Sequence, residues 1–259
     1  MNKVDWKSKR VLVTGASKGI GRALTTSVVQ RGGSVLAIAR SLQDLSTLRD
    51  ACKSYDGECY VRQVDITNGH DVAELLSWID QEWGIPDILI NNAGIGHFSP
   101  IVETSWEMTS RVIDTNFAGA VRLCQDIGRR MSSRKQGTIV LTSSLAGRVH
   151  FTNLGIYTAT KWALEGLALA LRDELAQYNV KVLLVRPGQT RTNFFHSAGI
   201  NVEPEKLEKM RSPHDIAERI IASLDQGDNE LTVGADKYFL VLQRFLPRAV
   251  AQRILPIFT

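Results

Sequence analysis

The stretch VLVTGASKGIGR, residues 11–22, joins an apolar run to a turn that holds three glycines and two cations. Gly15, Gly19 and Gly21 allow the backbone of such a turn to approach a diphosphate closely, and the N–H groups that open the following helix face its negative charge. Their spacing is G-x-x-x-G-x-G rather than the commoner G-x-G-x-x-G. The stretch predicts a strand, a phosphate-binding turn and a helix, with a purely structural tight turn as the alternative.

Short apolar runs alternate with segments of helical periodicity on the C-terminal side of this turn. A strand that is apolar on both faces is buried on both faces, which is typical of a parallel sheet covered by helices. We therefore predict an α/β fold with a doubly wound, Rossmann-type, seven-stranded parallel sheet and helices on both faces. The strands are predicted at 10–15, 34–40, 59–65, 87–94, 138–144, 181–188 and 230–234, and the helices at 19–31, 41–54, 69–83, 104–133, 157–178 and 213–226.

The composition is that of a globular protein with a large core. The chain has 259 residues, of which 44% are apolar and 22% charged, and we predict a single catalytic domain over 1–259. No apolar run approaches the roughly 18 residues that span a bilayer, and the N-terminal MNKVDWKSKR lacks the apolar segment of a secretion signal. We therefore expect a cytoplasmic protein.

Charge and cysteine content restrict the partners. The net charge of +4 is mild, and no block of Lys and Arg interleaved with aromatic residues precedes the C-terminal tail. Nucleic acid is therefore disfavoured as a partner, whereas an anionic cofactor is compatible with this charge. Cys52, Cys59 and Cys124 are odd in number and lack metal-ligand spacing, so we interpret them as packing residues in a reducing compartment and predict no metal site.

The end of the second strand indicates which dinucleotide is bound. Proteins of this architecture that bind NAD place a carboxylate about 20 residues past the turn, where it holds the ribose hydroxyls. Here that position is Ala39, followed by Arg40. An arginine can bind a 2′-phosphate through two parallel hydrogen bonds, and Lys18 in the turn can add a second cation. Together they favour NADP(H) over NAD(H), although a solvated charge after a strand is the alternative for Arg40.

Several motifs occur in order and at matching spacing, so that the chain resembles the classical short-chain dehydrogenase/reductase family from about residue 8 to 234. The resemblance implies a nicotinamide cofactor and hydride transfer between a carbonyl and an alcohol. The motifs are Thr14-Gly-Ala-Ser-Lys-Gly-Ile-Gly21, Asp65, Asn91-Asn-Ala-Gly94, Asn116, Ser144, Tyr157-x-x-x-Lys161 and Pro187-Gly188.

The candidate catalytic residues are Asn116, Ser144, Tyr157 and Lys161. Tyr157 and Lys161 lie four apart on a predicted helix and share one face. An ammonium beside a phenol lowers the pKa of the phenol, which makes Tyr157 a usable general acid for the reduced oxygen. Ser144 can donate a hydrogen bond to the same carbonyl; we choose it over Ser143 because the family places its serine thirteen residues before the tyrosine. Asn116 resembles the residue that positions a water linking the lysine to solvent.

The resemblance also implies the cofactor contacts. Asp65 and Ile66 would meet the adenine, the segment from Asn91 to Gly94 would pass the ribose, and Pro187 and Gly188 would turn beside the nicotinamide. Thr192 keeps the hydroxyl that would hold the carboxamide, whereas Thr190 replaces the usual apolar residue. The expected cofactor-binding residues are Gly15, Ser17, Lys18, Gly19, Ile20, Gly21, Arg40, Asp65, Ile66, Asn92, Ala93, Gly94, Tyr157, Lys161, Pro187, Gly188, Thr190 and Thr192.

The substrate should contact three segments: 94–98, 145–154 and 193–196. Their mixture of apolar and aromatic residues predicts a medium-sized, mostly apolar substrate, and the irregular, polar stretch 193–212 is predicted to be a substrate lid. His97, His150 and His196 could mark a polar or anionic substrate group or a metal, but histidines that simply lie on exposed loops are the favoured interpretation. The segment before Tyr157 lacks the Gln-x-x-x-Tyr pattern associated with ketoacyl-carrier-protein reductases, which disfavours that substrate.

The C-terminal extension 235–259 is apolar and basic, with Asp236 its only acid. Three interpretations remain open: peripheral contact of 236–259 with an anionic membrane, a roof over a lipid-like substrate, or a packing helix at a subunit interface. We expect a homodimer or homotetramer.

The predicted function is NADPH-dependent reduction of a ketone or aldehyde, a reversible hydride transfer with Tyr157 as general acid and base. The alternative is a catalytically silent dinucleotide-binding sensor or scaffold protein. Such a protein would be expected to lose one of the four candidate catalytic residues, and none is lost here. An epimerase or dehydratase acting on a nucleotide sugar would suit a longer chain with a different glycine spacing.

Overall fold

The computed structural model describes residues 3–234, and within them it confirms the predicted seven-stranded parallel sheet. The strand order is β3-β2-β1-β4-β5-β6-β7, and every neighbouring pair is parallel. The strands are β1 Arg10–Thr14, β2 Ser34–Ala39, β3 Glu58–Gln63, β4 Ile88–Asn91, β5 Gly137–Thr142, β6 Val180–Pro187 and β7 Glu230–Val233.

The predicted helices are confirmed with three differences, of which the first is that the predicted helix 69–83 ends in a π-helical turn, Ile79–Trp83. The predicted helix 104–133 is divided by a π-helical turn, Asp114–Ala118, that contains Asn116, and the predicted irregular stretch 193–212 contains two short helices. The helices are α1 Gly19–Gln30, α2 Leu42–Cys52, α3 Gly69–Trp78, α4 Trp106–Ile113, α5 Gly119–Ser133, α6 Gly155–Ala176, α7 Phe194–Ser197, α8 Pro204–Lys209 and α9 Pro213–Gln226.

The sheet is buried on both faces because alternate residues of each central strand enter different apolar clusters. Val11 and Val13 of β1 pack on the side of α1 and α9, whereas Leu12 between them packs on the side of α5 and α6. Successive side chains of a strand point to opposite faces, so the nearly continuous apolar runs of the sequence are what this arrangement requires.

Chain order reverses at β1, which lies between β2 and β4. The connection after β1 and the connection after β4 therefore run in opposite directions along the sheet. They open a crevice at the carboxyl ends of these two strands, where ligands of such sheets bind. Among the described residues, no helix is long and apolar enough to cross a membrane. The interpretations of the extension 235–259 fall outside the described residues.

Candidate active site

A cavity of about 1230 Å³ lies at the carboxyl ends of the strands and brings together nearly all the predicted site residues. Gly21 and Asn116 are the two predicted residues that do not line it. The predicted residues that do are Gly15, Ser17, Lys18, Gly19, Ile20, Arg40, Asp65, Ile66, Asn92, Ala93, Gly94, Ser144, Tyr157, Lys161, Pro187, Gly188, Thr190 and Thr192.

The glycine turn is held against the end of β4 by a network that the sequence did not predict. Gly15 has a φ of +62°, and a Cβ there would lie 2.8 Å from the Cα of Ala93. The backbone N–H groups of Asn92 and Ala93 donate to Thr14 Oγ1, at 3.0 and 2.9 Å. The Asn92 amide donates to the carbonyl oxygens of Thr14 and Gly15, at 3.1 and 3.3 Å. The Asn92 side chain therefore shapes the turn itself.

Gly21 has a packing role in this structure, and its predicted contact with a cofactor stays a prediction. It is buried in the first turn of α1, and a Cβ there would meet the carbonyl oxygen of Gly15. The helix can approach the turn this closely only without a side chain at 21. The turn and the helix N-terminus thus form a cradle of a shape that fits a diphosphate.

The two predicted phosphate-binding cations differ in their surroundings. Arg40 is exposed at the end of β2, whereas Lys18 Nζ lies 3.1 Å from Asp44 Oδ2 in the first turn of α2. Hydrogen bonds with Ser41 and with Lys18 hold the pKa of Asp44 below its usual range, and the bond with Ser41 has the larger effect. Asp44 also lines the cavity, and sequence reasoning missed it because an acid in the first turn of a helix is an ordinary helix-stabilising feature.

Arg22, the second cation of the opening stretch, does not line the cavity. Its guanidinium donates to the carbonyl oxygen of Asp44 at 3.2 Å and to Thr47 Oγ1 at 3.1 Å. It therefore ties α1 to α2.

Tyr157 and Ser144 both line the cavity and are hydrogen-bonded to each other. Tyr157 lies in the first turn of α6 and is 8% exposed. Ser144 follows β5 and opens a 3-10 turn, with its Oγ accepting from Ala146 N at 3.2 Å. Burial raises the pKa of the Tyr157 phenol to about 12, although a hydrogen bond with Ser144 acts in the opposite direction. The phenol is therefore protonated near neutral pH.

Lys161 lies one helical turn beyond Tyr157 and is almost fully buried. Its Nζ donates to the carbonyl oxygen of Thr142 at 2.8 Å and lies 5.6 Å from the centroid of the Tyr157 ring. Burial lowers the pKa of Lys161 to about 8. The lowering of the Tyr157 pKa by Lys161 stays a prediction, because burial dominates the pKa of both groups in this structure and the hydrogen bond with Ser144 is the one opposing effect on the phenol.

Asn116 is 1% exposed and lies behind the cavity wall. Its Oδ1 accepts from Ile95 N at 2.8 Å, and its Nδ2 donates to Ile95 O at 2.9 Å and to Thr160 Oγ1 at 3.1 Å. The side chain thus fastens the segment after β4 to α6. A Cβ on Gly94 would lie 3.4 Å from Asn116 Oδ1 and 3.5 Å from Lys161 Nζ, so both polar atoms lie beside Gly94, and the predicted water between Lys161 and solvent stays a prediction.

The polar side chains of Asp65, Thr190 and Thr192 each form a hydrogen bond with a residue two positions away in the chain. Asp65 Oδ1 accepts from the backbone N and hydroxyl of Thr67, at 2.9 and 2.8 Å. Thr190, the departure from the family pattern, donates its hydroxyl to Gly188 O at 2.9 Å, and Thr192 Oγ1 accepts from Phe194 N at 3.3 Å. The hydroxyl of Thr190 is therefore satisfied within the turn after β6.

The predicted substrate segments line the other half of the cavity. His97 and His150 are part of its wall, whereas His196 is exposed and is not. Among residues 3–234, no three His, Cys, Asp or Glu side chains are grouped as ligands of a metal ion.

Comparison with known proteins identifies the family. The family model described as short chain dehydrogenase matches residues 9–202. The NADPH-dependent pterin aldehyde reductase of Arabidopsis thaliana is 34% identical over 228 residues, which cover 86% of this chain and 91% of that protein. Human retinol dehydrogenase 8 is 37% identical over 190 residues, 72% of this chain and 60% of that protein. Glycine betaine reductase ATRR of Emericella nidulans is 31% identical over 229 residues, and the chain spans 18% of its length.

A similar structure has been solved with a cofactor. A short-chain dehydrogenase from Sphingobium yanoikuyae in complex with NADPH has a TM-score of 0.80 and 26% identity, over 93% of this chain and 97% of that one. Because the family model matches residues 9–202 and the Arabidopsis relative is 34% identical over 86% of this chain, this protein belongs to the short-chain dehydrogenase family.

Proposed function

We propose that the protein is an NADP(H)-dependent oxidoreductase that reduces a ketone or aldehyde to an alcohol. One observation carries the proposal: a single cavity holds the glycine turn, the cations Lys18 and Arg40, and the side chains of Tyr157 and Lys161. The names of two relatives, an NADPH-dependent aldehyde reductase and a retinol dehydrogenase, support the same chemistry.

The residues around the cavity fit NADP(H). The cradle of Gly15 and the helix N-terminus suits the diphosphate, and Arg40 with Lys18 suits a 2′-phosphate better than a bare ribose, because both are cations and Ala39 stands where a carboxylate would favour NAD. When bound, the cofactor supplies a hydride to the carbonyl carbon. The chain's own side chains bind the substrate and handle the proton.

Tyr157 would donate its phenolic proton to the substrate oxygen. Because burial keeps this phenol protonated at neutral pH, Tyr157 is in the form that can give a proton to the substrate oxygen during reduction. Ser144 would donate a hydrogen bond to the same oxygen and stabilise the charge that develops on it. Lys161, with its pKa near 8, would return a proton to Tyr157 after each turnover.

The substrate half of the cavity suits a medium-sized, mostly apolar molecule. Its wall includes the aromatic rings of Phe98, Phe151 and Phe195 and the aliphatic side chains of Leu154 and Ile200. Apolar walls with a few convergent polar groups are typical of small-molecule sites, and here the polar groups meet at Tyr157.

The proposal is tested with Tyr157→Phe. NADPH consumption is followed across a panel of aldehydes, ketones, acyl thioesters and steroids, and NADPH affinity is measured by fluorescence titration. We expect loss of turnover with nearly unchanged affinity, because only the hydroxyl is removed. Tyr178→Phe, at an exposed tyrosine beyond the end of α6, is the matched control. Unchanged turnover in Tyr157→Phe would exclude the mechanism, and NADPH binding without any turnover would support the sensor alternative.

We also propose that the protein works in the cytoplasm as a homo-oligomer. The cysteines of the described chain are free thiols, as a reducing compartment requires. Trp106 on α4 is 78% exposed and Trp162 on α6 is 53% exposed, and large aromatic residues this exposed are typical of subunit interfaces. Trp162→Asp should therefore give a smaller species than wild type in analytical ultracentrifugation, whereas Trp162→Phe should not.

A further inference from the structure

The short helix α7 places a phenylalanine directly over the tyrosine of the active site. The ring centroids of Phe194 and Tyr157 are 5.3 Å apart, and their planes are inclined by 54°. Phe195 packs edge-on against Phe194, with centroids 5.8 Å apart. Aromatic pairs in these geometries stabilise one another beyond the area they bury, so the position of the Phe194 ring is defined by two neighbours.

The segment after β4 provides the space that this ring occupies. A Cβ on Gly96 would lie 2.7 Å from Phe194 Cζ and 2.9 Å from the Cβ of Ala198. Real Cβ atoms do not approach other atoms this closely, so the ring can lie here only because residue 96 has no side chain. The backbone N of Phe98 donates to Ala198 O at 2.8 Å and joins the two segments along this contact.

Gly96, Tyr157 and Phe194 all line the substrate half of the cavity. A carbonyl oxygen that accepts a proton from Tyr157 must come within hydrogen-bond distance of its hydroxyl, so one substituent of the carbonyl carbon has to fit next to the ring that covers the tyrosine. The room on that side is limited by the Phe194 side chain, since the facing residue is a glycine.

We propose that Phe194 is a specificity-determining residue that limits the protein to carbonyl compounds with one small substituent, namely aldehydes and methyl ketones. This inference rests on the proposed function and narrows its substrate class. The larger substituent would lie against the aromatic and aliphatic wall formed by Phe98, Phe151 and Leu154.

The test uses four aryl carbonyls that share a phenyl group and differ in the second substituent: benzaldehyde, acetophenone, propiophenone and benzophenone. Their kcat/KM values are measured with NADPH for wild type, Phe194→Leu and Phe194→Ala. In wild type, kcat/KM should fall along the series. In Phe194→Ala, the ratio of kcat/KM for benzophenone to that for benzaldehyde should rise by about tenfold or more, because removing several buried carbons changes discrimination by at least that factor. Phe194→Leu should lie between the two.

His196→Ala is the matched control, since His196 belongs to the same short helix but is exposed and lies outside the cavity wall. It should leave the ratio unchanged. NADPH affinity and the thermal midpoint are measured for every variant, because a loss of folding alone would lower all four kcat/KM values together and would not change their ratio.

Gly96→Ala gives a second, independent readout. In wild type it should lower kcat/KM for every member of the series, because the new Cβ displaces the Phe194 ring. In the Phe194→Ala background the decrease should be smaller, because the new Cβ then meets only the Cβ of Ala198. A ratio that is unchanged in Phe194→Ala, or a failure of both wild type and Phe194→Ala to reduce any of the four carbonyls, overturns the inference. The proposed function is decided separately, by the wider panel and Tyr157→Phe.

Discussion

Removal of Arg40 should change the choice between NADPH and NADH more than removal of Lys18, although both side chains are cations beside the same end of the cavity. Arg40 is exposed, and among the described residues it has no carboxylate partner, so its hydrogen bonds to a 2′-phosphate would add to the binding energy of the cofactor. Lys18 Nζ lies 3.1 Å from Asp44 Oδ2, and the Lys18 side chain is 58% exposed. A bound 2′-phosphate would therefore compete with the Asp44 carboxylate for the Lys18 ammonium.

The expected magnitudes follow from these surroundings. Hydrogen bonds between charged groups contribute about 1.5 kcal/mol at the low end, appropriate to an exposed arginine, so Arg40→Ala should weaken NADPH binding about tenfold. An exposed, shared ion pair is worth well under about 1 kcal/mol, so Lys18→Ala should weaken it about threefold. Asp44→Asn releases Lys18 and should tighten NADPH binding about twofold. None of the three should change NADH affinity, because NADH carries no 2′-phosphate.

Fluorescence titration of each variant with NADPH and NADH, at low and at physiological salt, measures these effects. Lys53→Ala is the matched control: Lys53 pairs with Asp50 at 2.9 Å at the other end of α2, away from the cavity. The difference between Arg40→Ala and wild type should shrink as salt increases. Equal loss of NADH affinity would refute the reasoning, because the cation would then contact the shared diphosphate. A Lys18→Ala effect as large as that of Arg40→Ala would show that Asp44 does not compete.

Three further predictions concern stability and the glycine turn. Lys161→Met should raise the free energy of unfolding at pH 7 by about 3 kcal/mol, because burial lowers the pKa of Lys161 from 10.5 to about 8 and the mutant no longer buries a charge. Since the unfolded chain binds the proton more tightly between these two pKa values, wild type gains stability as pH rises from 8 to 10.5, and urea unfolding at pH 7 and pH 10 should show the advantage of the mutant shrinking. Glu165→Gln should lower the free energy of unfolding in urea by about 3 kcal/mol, because the Arg186 guanidinium is 3% exposed and donates to Glu165 at 2.7 Å. The control Glu174→Gln, at an exposed position on the same helix, should leave it almost unchanged. Equal effects of the two variants would contradict a buried ion pair. Gly21→Ala should lower the thermal midpoint and weaken NADPH and NADH binding alike, since its Cβ meets the Gly15 carbonyl beneath the shared diphosphate cradle, and unchanged binding of both would show that the turn tolerates the side chain.

The sequence determined the features that are encoded locally. Apolar runs, helical periodicity and the glycine turn predicted the parallel sheet, because a strand buried on both faces and a helix that opens on a phosphate each need a characteristic pattern of neighbouring residues. Tyr157 and Lys161 could be placed together for the same reason, since four residues of helix bring them to one face. The spacing of the motifs was sufficient to place Tyr157 and Lys161 near the carboxyl ends of the strands.

The tertiary structure alone decided which distant side chains meet. Asp44 forms an ion pair with Lys18, and the Phe194 ring packs against Tyr157, only because separate crossover connections bring these segments to the same edge of the sheet. Asn116 lies in a π-helical turn that interrupts the predicted helix, and its side chain bonds to Ile95 and does not line the cavity. The protonation of Tyr157 follows from how much water the packed fold removes around it, and burial is a property of the assembled layers that no local pattern of residues specifies.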